Sequence, residues 1–339
     1  MANKTYKPSS DKKNILVIGG AGFIGSFLCE ELVKNDNVIC IDNFVTSNVE
    51  NIRLLIQFPN FEFIKHDITE PIDLEKLPEL KKFKVNIHGI QEIYNLACPT
   101  VQKDYKKLSI ETVLANSSGV KNTLDLAIQY QSRYLFTSTS SVYGDCGNQA
   151  VKETTICPLD FLGPRSAYNE GKRFAEMMIK RYAHYYELDT RIARIFSVYG
   201  PRMIPKDARL IPDFIDQAIN NKTILIEGDK NSKISYIYVQ DLVEGLIKLM
   251  KYEKNLIINF GSEDEILLED VAKTIIDLIN SKSKIKFVAP PEYISRITRP
   301  DISQAKEKLG WFPLVSLEEG LRRTIDYLKA SKYLSFQSD

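Results

Sequence analysis

The sequence predicts an α/β protein: a doubly wound parallel sheet carrying a smaller mixed α/β lobe toward the C-terminus. Three observations predict it. Short apolar runs alternate with longer amphipathic stretches through the first half, as strands do when crossover helices bury both their faces. A glycine-rich turn, Gly19-Gly20-Ala21-Gly22-Phe23-Ile24-Gly25, follows the first apolar run and opens the first amphipathic stretch. After Gly200 the rhythm breaks, with Pro201, Pro205 and Pro212 separating shorter pieces.

In chain order, the first strand is expected at 15–18 and the first helix at 23–34. Strands follow at 38–41, 61–64, 93–97 and 134–136, with a long helix over 105–130 before the last of them. A helix over 167–186 leads into a sixth strand at 190–196. Helices are expected at 241–250, 268–279 and 317–328. A strand at 256–260 is expected to return to the main sheet. The larger unit therefore covers 14–198 plus about 235–262, and the lobe about 199–234 and 263–329. Residues 1–13 are polar and lysine-rich, lack the apolar stretch of a secretory signal, and read as a flexible lead.

The chain has 339 residues, 44% hydrophobic and 26% charged, with a net charge of +1. That length suits a large α/β unit with a lobe. The charge balance argues against a broad nucleic-acid or membrane surface. No apolar run approaches the roughly 20 residues that cross a bilayer. Cys29, Cys40, Cys98, Cys146 and Cys157 form no CxxC pair and no metal-like spacing with the histidines. They read as free thiols in a reducing compartment, which implies a cytoplasmic protein without a metal.

The spacing Gly19, Gly22, Gly25 has a mechanical meaning. The first glycine permits the tight turn, the second lets a pyrophosphate approach the backbone, and the third lets helix and strand pack closely. The helix N-terminus then offers unpaired N–H groups to the phosphates. Asp42 ends the second strand, 20 residues beyond Gly22. A carboxylate there accepts hydrogen bonds from ribose hydroxyls and repels a 2′-phosphate, which favours NAD over NADP. A glycine turn with a capping aspartate is the plainer alternative. Asp67 closes the third strand, where it would meet adenine or serve only as a turn residue.

Tyr168 and Lys172 are four residues apart on an expected helix and so share a face. Thr139 ends the fifth strand in Thr137-Ser138-Thr139-Ser140-Ser141-Val142-Tyr143-Gly144, at the sheet edge where ligands bind. Positive charge near a tyrosine favours its phenolate. Such a phenolate is a candidate general base toward a sugar hydroxyl, with the Thr139 hydroxyl orienting the same oxygen. An isolated Tyr-x-x-x-Lys is more often a core aromatic beside a solvated lysine; the glycine turn and the hydroxyl-rich strand end give this one its meaning.

With these residues in place, the chain from Asn14 to about Leu328 resembles the extended short-chain dehydrogenase/reductases, in particular their nucleotide-sugar epimerases, dehydratases and decarboxylases. The resemblance implies a Rossmann fold and a tightly held NAD. It implies that Gly19, Gly22, Phe23, Ile24, Gly25, Asp42, Asn43, Asp67, Ile68, Leu96, Ala97, Asn116, Tyr168 and Lys172 contact that cofactor. It further implies a catalytic group of Thr139, Tyr168 and Lys172, a UDP-, GDP- or dTDP-linked sugar as substrate, and a homodimer paired through helices 105–130 and 167–186.

Several stretches look most like the UDP-glucuronate decarboxylases of that family: Gly163-Pro164-Arg165-Ser166-Ala167-Tyr168-Asn169-Glu170-Gly171-Lys172-Arg173, Arg194-Ile195-Phe196, Gly200-Pro201-Arg202-Met203, Arg299-Pro300-Asp301-Ile302 and Lys308-Leu309-Gly310-Trp311. Other positions depart. The decarboxylases carry glutamate where Ser141 stands, and the 4,6-dehydratases an aspartate–glutamate pair at Ser140 and Ser141. Two serines are poor acids and bases for dehydration. The Ser-Ser-Val-Tyr-Gly version looks like that of C4-epimerases. Relatives have asparagine at Ser197, and the decarboxylases arginine at Ile234. Ser140, Ser141 and Ser197 are candidate substrate contacts. Arg202, Arg209 and Lys233 are candidate replacements for the missing donors. Arg299 is a candidate for the nucleotide phosphates or, equally, a surface ion-pair partner.

The leading expectation is a nucleotide-sugar C4-epimerase or C4-dehydrogenase. The alternative is a UDP-glucuronate-type decarboxylase. A 4,6-dehydratase and a non-catalytic NAD-binding sensor rank below both, since a sensor has no need of Thr139, Tyr168 and Lys172.

Overall fold

The computed structural model describes residues 6, 12–100, 107–203, 209–289 and 299–335. Tyr105, where the long helix was expected to start, and Pro205 lie outside the described residues. The central sheet has 7 strands: β1 (Asn14–Ile18), β2 (Asn37–Asp42), β3 (Phe61–Lys65), β4 (Glu92–Asn95), β5 (Arg133–Thr139), β6 (Thr190–Ile195) and β7 (Leu256–Phe260). All pairings are parallel, in the order β7-β6-β5-β4-β1-β2-β3. The winding reverses between β1 and β4, which opens a crevice at the C-terminal ends of those strands.

The strands are mainly apolar at their centres because both faces are covered. Ile15 and Val17 of β1 join one core with Leu135, Ala193 and Ile258. Leu16 and Ile18 join the other with Ile93, Phe136 and Ile192. The covering helices include α1 (Phe23–Leu32), α2 (Ser109–Leu114), α3 (Val120–Tyr130), α4 (Ser166–Tyr185) and α6 (Val239–Lys251); α5 (Leu210–Ile219), α7 (Leu268–Ile279) and α8 (Leu317–Ser335) belong to the C-terminal half. The first core runs on without a break into Phe214 and Ile215 of α5 and Val271 and Ile275 of α7. The lobe therefore shares its interior with one face of the sheet. Its own strand pair joins Ile224–Glu227 to Ile285–Val288.

Three differences from the sequence reading have physical causes. The single helix expected over 105–130 is α2, a π turn at Ala115–Gly119, and α3. In that turn Asn116, Ser117 and Ser118 hydrogen-bond back to the carbonyls of Thr112, Val113 and Leu114, and such side-chain competition loosens the regular ladder. Of the expected free lead, Tyr6 is held, with its ring 5.1 Å from that of Tyr130 and its hydroxyl donating to Glu75. Cys146 and Cys157 are not free thiols but a disulfide, with Cα atoms 5.2 Å apart; Cys29, Cys40 and Cys98 are free. Local spacing could not reveal the bridge, because the loop between the two cysteines folds back on itself only in three dimensions. Among the described residues no helix is long and apolar enough to cross a membrane.

Candidate dinucleotide and catalytic site

The glycine turn is built by close approach. Gly19 has φ +76°, and a Cβ there would lie 2.8 Å from the Ala97 nitrogen. A Cβ on Gly25 would lie 2.2 Å from the Gly19 carbonyl oxygen. No larger residue fits either place. α1 starts with Gly22 as its N-cap and no side chain over its first N–H groups, so those donors face the crevice. Phe23 and Ile24 open the helix, and Leu96 is tied to the turn through its N–H to the Ile18 carbonyl, 2.8 Å.

Asp42 sits beside this turn. One oxygen accepts from the Ala21 N–H at 3.1 Å. The other accepts from the Phe44 N–H and the Ser47 hydroxyl at 2.9 and 2.6 Å. The carboxylate thus locks the glycine turn to the segment after β2 and keeps lone pairs for a ribose. Asp67 accepts from the Thr69 N–H and hydroxyl and from Asn43. Partial burial pushes its pKa up, but these hydrogen bonds outweigh it and hold the group below the usual carboxylate range. Its geometry is that of a turn residue at the mouth of the crevice. Ile68 packs under Gly119, where a Cβ would come within 2.8 Å of it. A cradle that admits only backbone, with uncapped donors at one end and carboxylates at the other, fits a dinucleotide.

The candidate catalytic residues stand on β5 and α4. α4 aligns Tyr168, Lys172 and Glu176 along one face at helical spacing. Lys172 is buried; its Nζ donates to the Thr137 carbonyl at 2.9 Å and lies 4.4 Å from the centre of the Phe136 ring. Thr139 ends β5 and caps the short turn Ser140–Tyr143, accepting from the Ser141 N–H at 3.2 Å. Asn116 is fully buried in the π turn and donates to the Cys98 sulfur and the Thr112 carbonyl, while its Oδ1 has no partner. Gly171 admits that turn: a Cβ there would lie 3.2 Å from the Asn116 Cβ. The turn thus meets α4 between Tyr168 and Lys172.

Burial lowers the Lys172 pKa, with Cys98 and Glu176 pulling the other way. The unfolded chain therefore holds this proton to higher pH than the folded one. In the window between the two pKa values the unfolded state binds more protons, so stability rises with pH there. Lys172→Met is expected to abolish that rise. Urea unfolding across a series of alkaline pH values measures it; an unchanged slope refutes the assignment.

The substrate candidates are only partly gathered. Ser140 and Ser141 stand in the turn directly after Thr139. The Ser197 carbonyl accepts from the Ile237 N–H, and Ile234 is buried in the lobe. Arg209 donates to the carbonyl and hydroxyl of Thr100, at the β4 end of the crevice. Arg202 is turned to α1, where it donates to Ser26 and Glu30 and lies over Phe27. Lys233 is exposed on a short strand paired with Leu267. Arg299 pairs with Glu265 at 3.8 Å.

Sequence reasoning missed a buried network behind Thr139 and Lys172. Glu176 accepts from Ser138 at 2.6 Å and from Arg194 at 2.9 and 2.6 Å. The Arg194 guanidinium lies 4.8 Å from the centre of the Tyr143 ring, and the Tyr143 hydroxyl donates to Asn259. The available signal was Glu176 itself, which continues the four-residue spacing of Tyr168 and Lys172.

A glycine cradle, a strand-end threonine and a Tyr-x-x-x-Lys helix on one parallel sheet define an extended short-chain dehydrogenase/reductase. The chain belongs to the GDP-mannose 4,6 dehydratase family, whose model matches residues 16–324. UDP-glucuronic acid decarboxylase 4 of Arabidopsis thaliana is 40% identical over 91% of this chain, which spans 66% of that relative's length. The UDP-glucuronic acid 4-epimerase from Bacillus cereus, solved with UDP-glucuronic acid and NAD, is 30% identical with a TM-score of 0.82, covering 94% of this chain and 99% of that one. The dTDP-glucose 4,6-dehydratase from Bacillus anthracis, solved with NAD, is 25% identical with a TM-score of 0.80, covering 95% and 98%.

Proposed function

We propose that this protein oxidises C4 of a UDP-linked sugar with NAD and returns the hydride to the opposite face, as a C4-epimerase acting on a hexuronate such as UDP-glucuronate. The observation that carries this reading is the strand end at Thr139, whose following turn offers the hydroxyls of Ser140 and Ser141 and no carboxylate. Epimerisation needs no acid or base beyond the one that handles the C4 hydroxyl. NAD, when bound in the glycine cradle, supplies the hydride acceptor. Tyr168 takes the C4 hydroxyl proton, Lys172 offsets the charge on the phenol oxygen, and Thr139 orients the sugar oxygen. The Bacillus cereus complex supports both the cofactor and the hexuronate.

Decarboxylation is the second reading, favoured by the 40% identity to the Arabidopsis decarboxylase. A hexuronate oxidised at C4 is a β-keto acid, which loses CO2 without a catalytic carboxylate. Incubation with UDP-glucuronate and NAD separates the two: UDP-galacturonate is the expected product. UDP-xylose with CO2 establishes the second reading instead, and no product from UDP-glucuronate or UDP-glucose sinks both. Two copies pairing through α2, α3 and α4 would cover Ile110, Val113, Leu114 and Phe174, all exposed in the single chain. Sedimentation at micromolar concentration is expected to give a dimer mass.

A further inference from the structure

Lys172 and Glu176 stand one turn apart on the face of α4 that meets the sheet, 2% and 7% exposed. They take hold of neighbouring residues of β5. The Lys172 Nζ donates to the Thr137 carbonyl at 2.9 Å, and the Ser138 hydroxyl donates to Glu176 at 2.6 Å. Arg194 lies opposite Ser138 on β6. Its guanidinium forks onto both Glu176 oxygens, at 2.9 and 2.6 Å, and donates to the Glu153 carbonyl. α4 is thus fastened to two strands within one turn of Lys172, and the next residue of β5 is Thr139.

Stability alone does not account for this pair. A buried ion pair returns about what its desolvation costs, and apolar residues of similar size do as well. What a fork of two charged hydrogen bonds adds is direction. The pair also bears on charge. Facing Lys172 are Tyr168 and Glu176 on its own helix, Cys98 after β4, the neutral Phe136 and Thr137 of β5, and Asn116 beside Gly171. Arg194 stands behind Glu176. Burial disfavours the Lys172 cation, and Cys98 and Glu176 oppose that effect.

We propose that Glu176, held by Arg194, is a positioning residue: it sets where the Lys172 ammonium and the Thr139 hydroxyl stand relative to Tyr168. This rests on the reading of Tyr168 and Lys172 as the proton-transfer pair of a C4 oxidation. Neither Glu176 nor Arg194 is asked to touch sugar or cofactor. The two carry opposite charges, so removing them has opposite consequences for Lys172. Glu176→Gln leaves the Arg194 cation uncompensated and disfavours the Lys172 ammonium; Arg194→Gln leaves the carboxylate uncompensated and favours it. Loss of packing alone has no such sign.

The test uses the full chain loaded with NAD and labelled with carbon-13 at lysine Cε, the Lys172 signal being the one absent from Lys172→Met. Its titration midpoint is expected to fall by about half a pH unit or more in Glu176→Gln and to rise in Arg194→Gln. With UDP-glucuronate as substrate, the alkaline limb of kcat is expected to move the same way, with kcat down about tenfold or more in Glu176→Gln and KM little changed. Ser138→Ala removes a neutral contact and leaves the ion pair intact. It is expected to lower kcat about threefold or more with the Lys172 midpoint unmoved, which decides placement even where a charge variant does not fold. Midpoints that stay fixed, or that move the same way in both charge variants, overturn the proposal, as does wild-type kcat in Ser138→Ala. A wild type that makes no product from UDP-glucuronate or UDP-glucose overturns the reading of Tyr168 and Lys172 instead, and the midpoints then still decide whether Glu176 acts on Lys172.

Discussion

Tyr168→Phe is expected to lower kcat by about 10²- to 10⁴-fold, the span that a positioned proton-transfer group contributes. The substitution removes one oxygen and leaves the ring, so α4 keeps its packing and Lys172 keeps its bonds to the Thr137 carbonyl and the Phe136 face. The glycine cradle is formed by β1, α1 and the segment after β4, none of which contains Tyr168. Bound NAD is therefore expected to persist while turnover collapses. Steady-state product formation and the NAD released on denaturation measure the two quantities independently. Retention of more than about a tenth of kcat would remove Tyr168 from its role as base. Loss of the cofactor together with the rate would show a structural role instead.

Glu176→Ala is expected to destabilise the fold by about 3–5 kcal/mol, as removal of one partner from a buried ion pair does. The side chains of Arg194 and Glu176 are 13% and 9% exposed. Without Glu176 the guanidinium keeps the Glu153 carbonyl and the Tyr143 ring but no counter-charge. Burial alone pushes the Arg194 pKa down, and Glu176 more than reverses this; a guanidinium stays protonated even without that partner, so Arg194 in the variant bears the desolvation cost uncompensated. Ser138 loses its acceptor as well, directly before Thr139. Glu176→Gln keeps the shape and an acceptor for Ser138 while removing the charge, and is expected to fall between wild type and the alanine variant. Urea unfolding measures both; a change below about 1 kcal/mol would mean that solvent already screens the pair.

The alternation of apolar and amphipathic segments was sufficient for the sheet because its inner strands are buried on both faces. The glycine turn was legible for a related reason. Only residues without a Cβ fit where the Gly25 and Gly19 backbones touch, so the geometry leaves a mark on the sequence. Tyr168 and Lys172 were legible as a pair because helical spacing is local. Local patterns failed where the partner is distant. Nothing near Arg202 says that its guanidinium meets Glu30 of α1, far away in the chain, and nothing near Cys146 says where Cys157 will fold.

By itself the sequence determined the doubly wound sheet and the close-packed glycine turn, and it placed Thr139 at a strand end and Tyr168 and Lys172 on one helix, since each depends on periodicity or on steric demands within one short segment. Only the tertiary structure decided the packing of Asn116 against Gly171 of α4 and the Glu176–Arg194 pair behind the end of β5. It also decided which arginines are spent on other partners. A long charged side chain can reach many places, and which one it takes depends on segments that become neighbours only when the core closes.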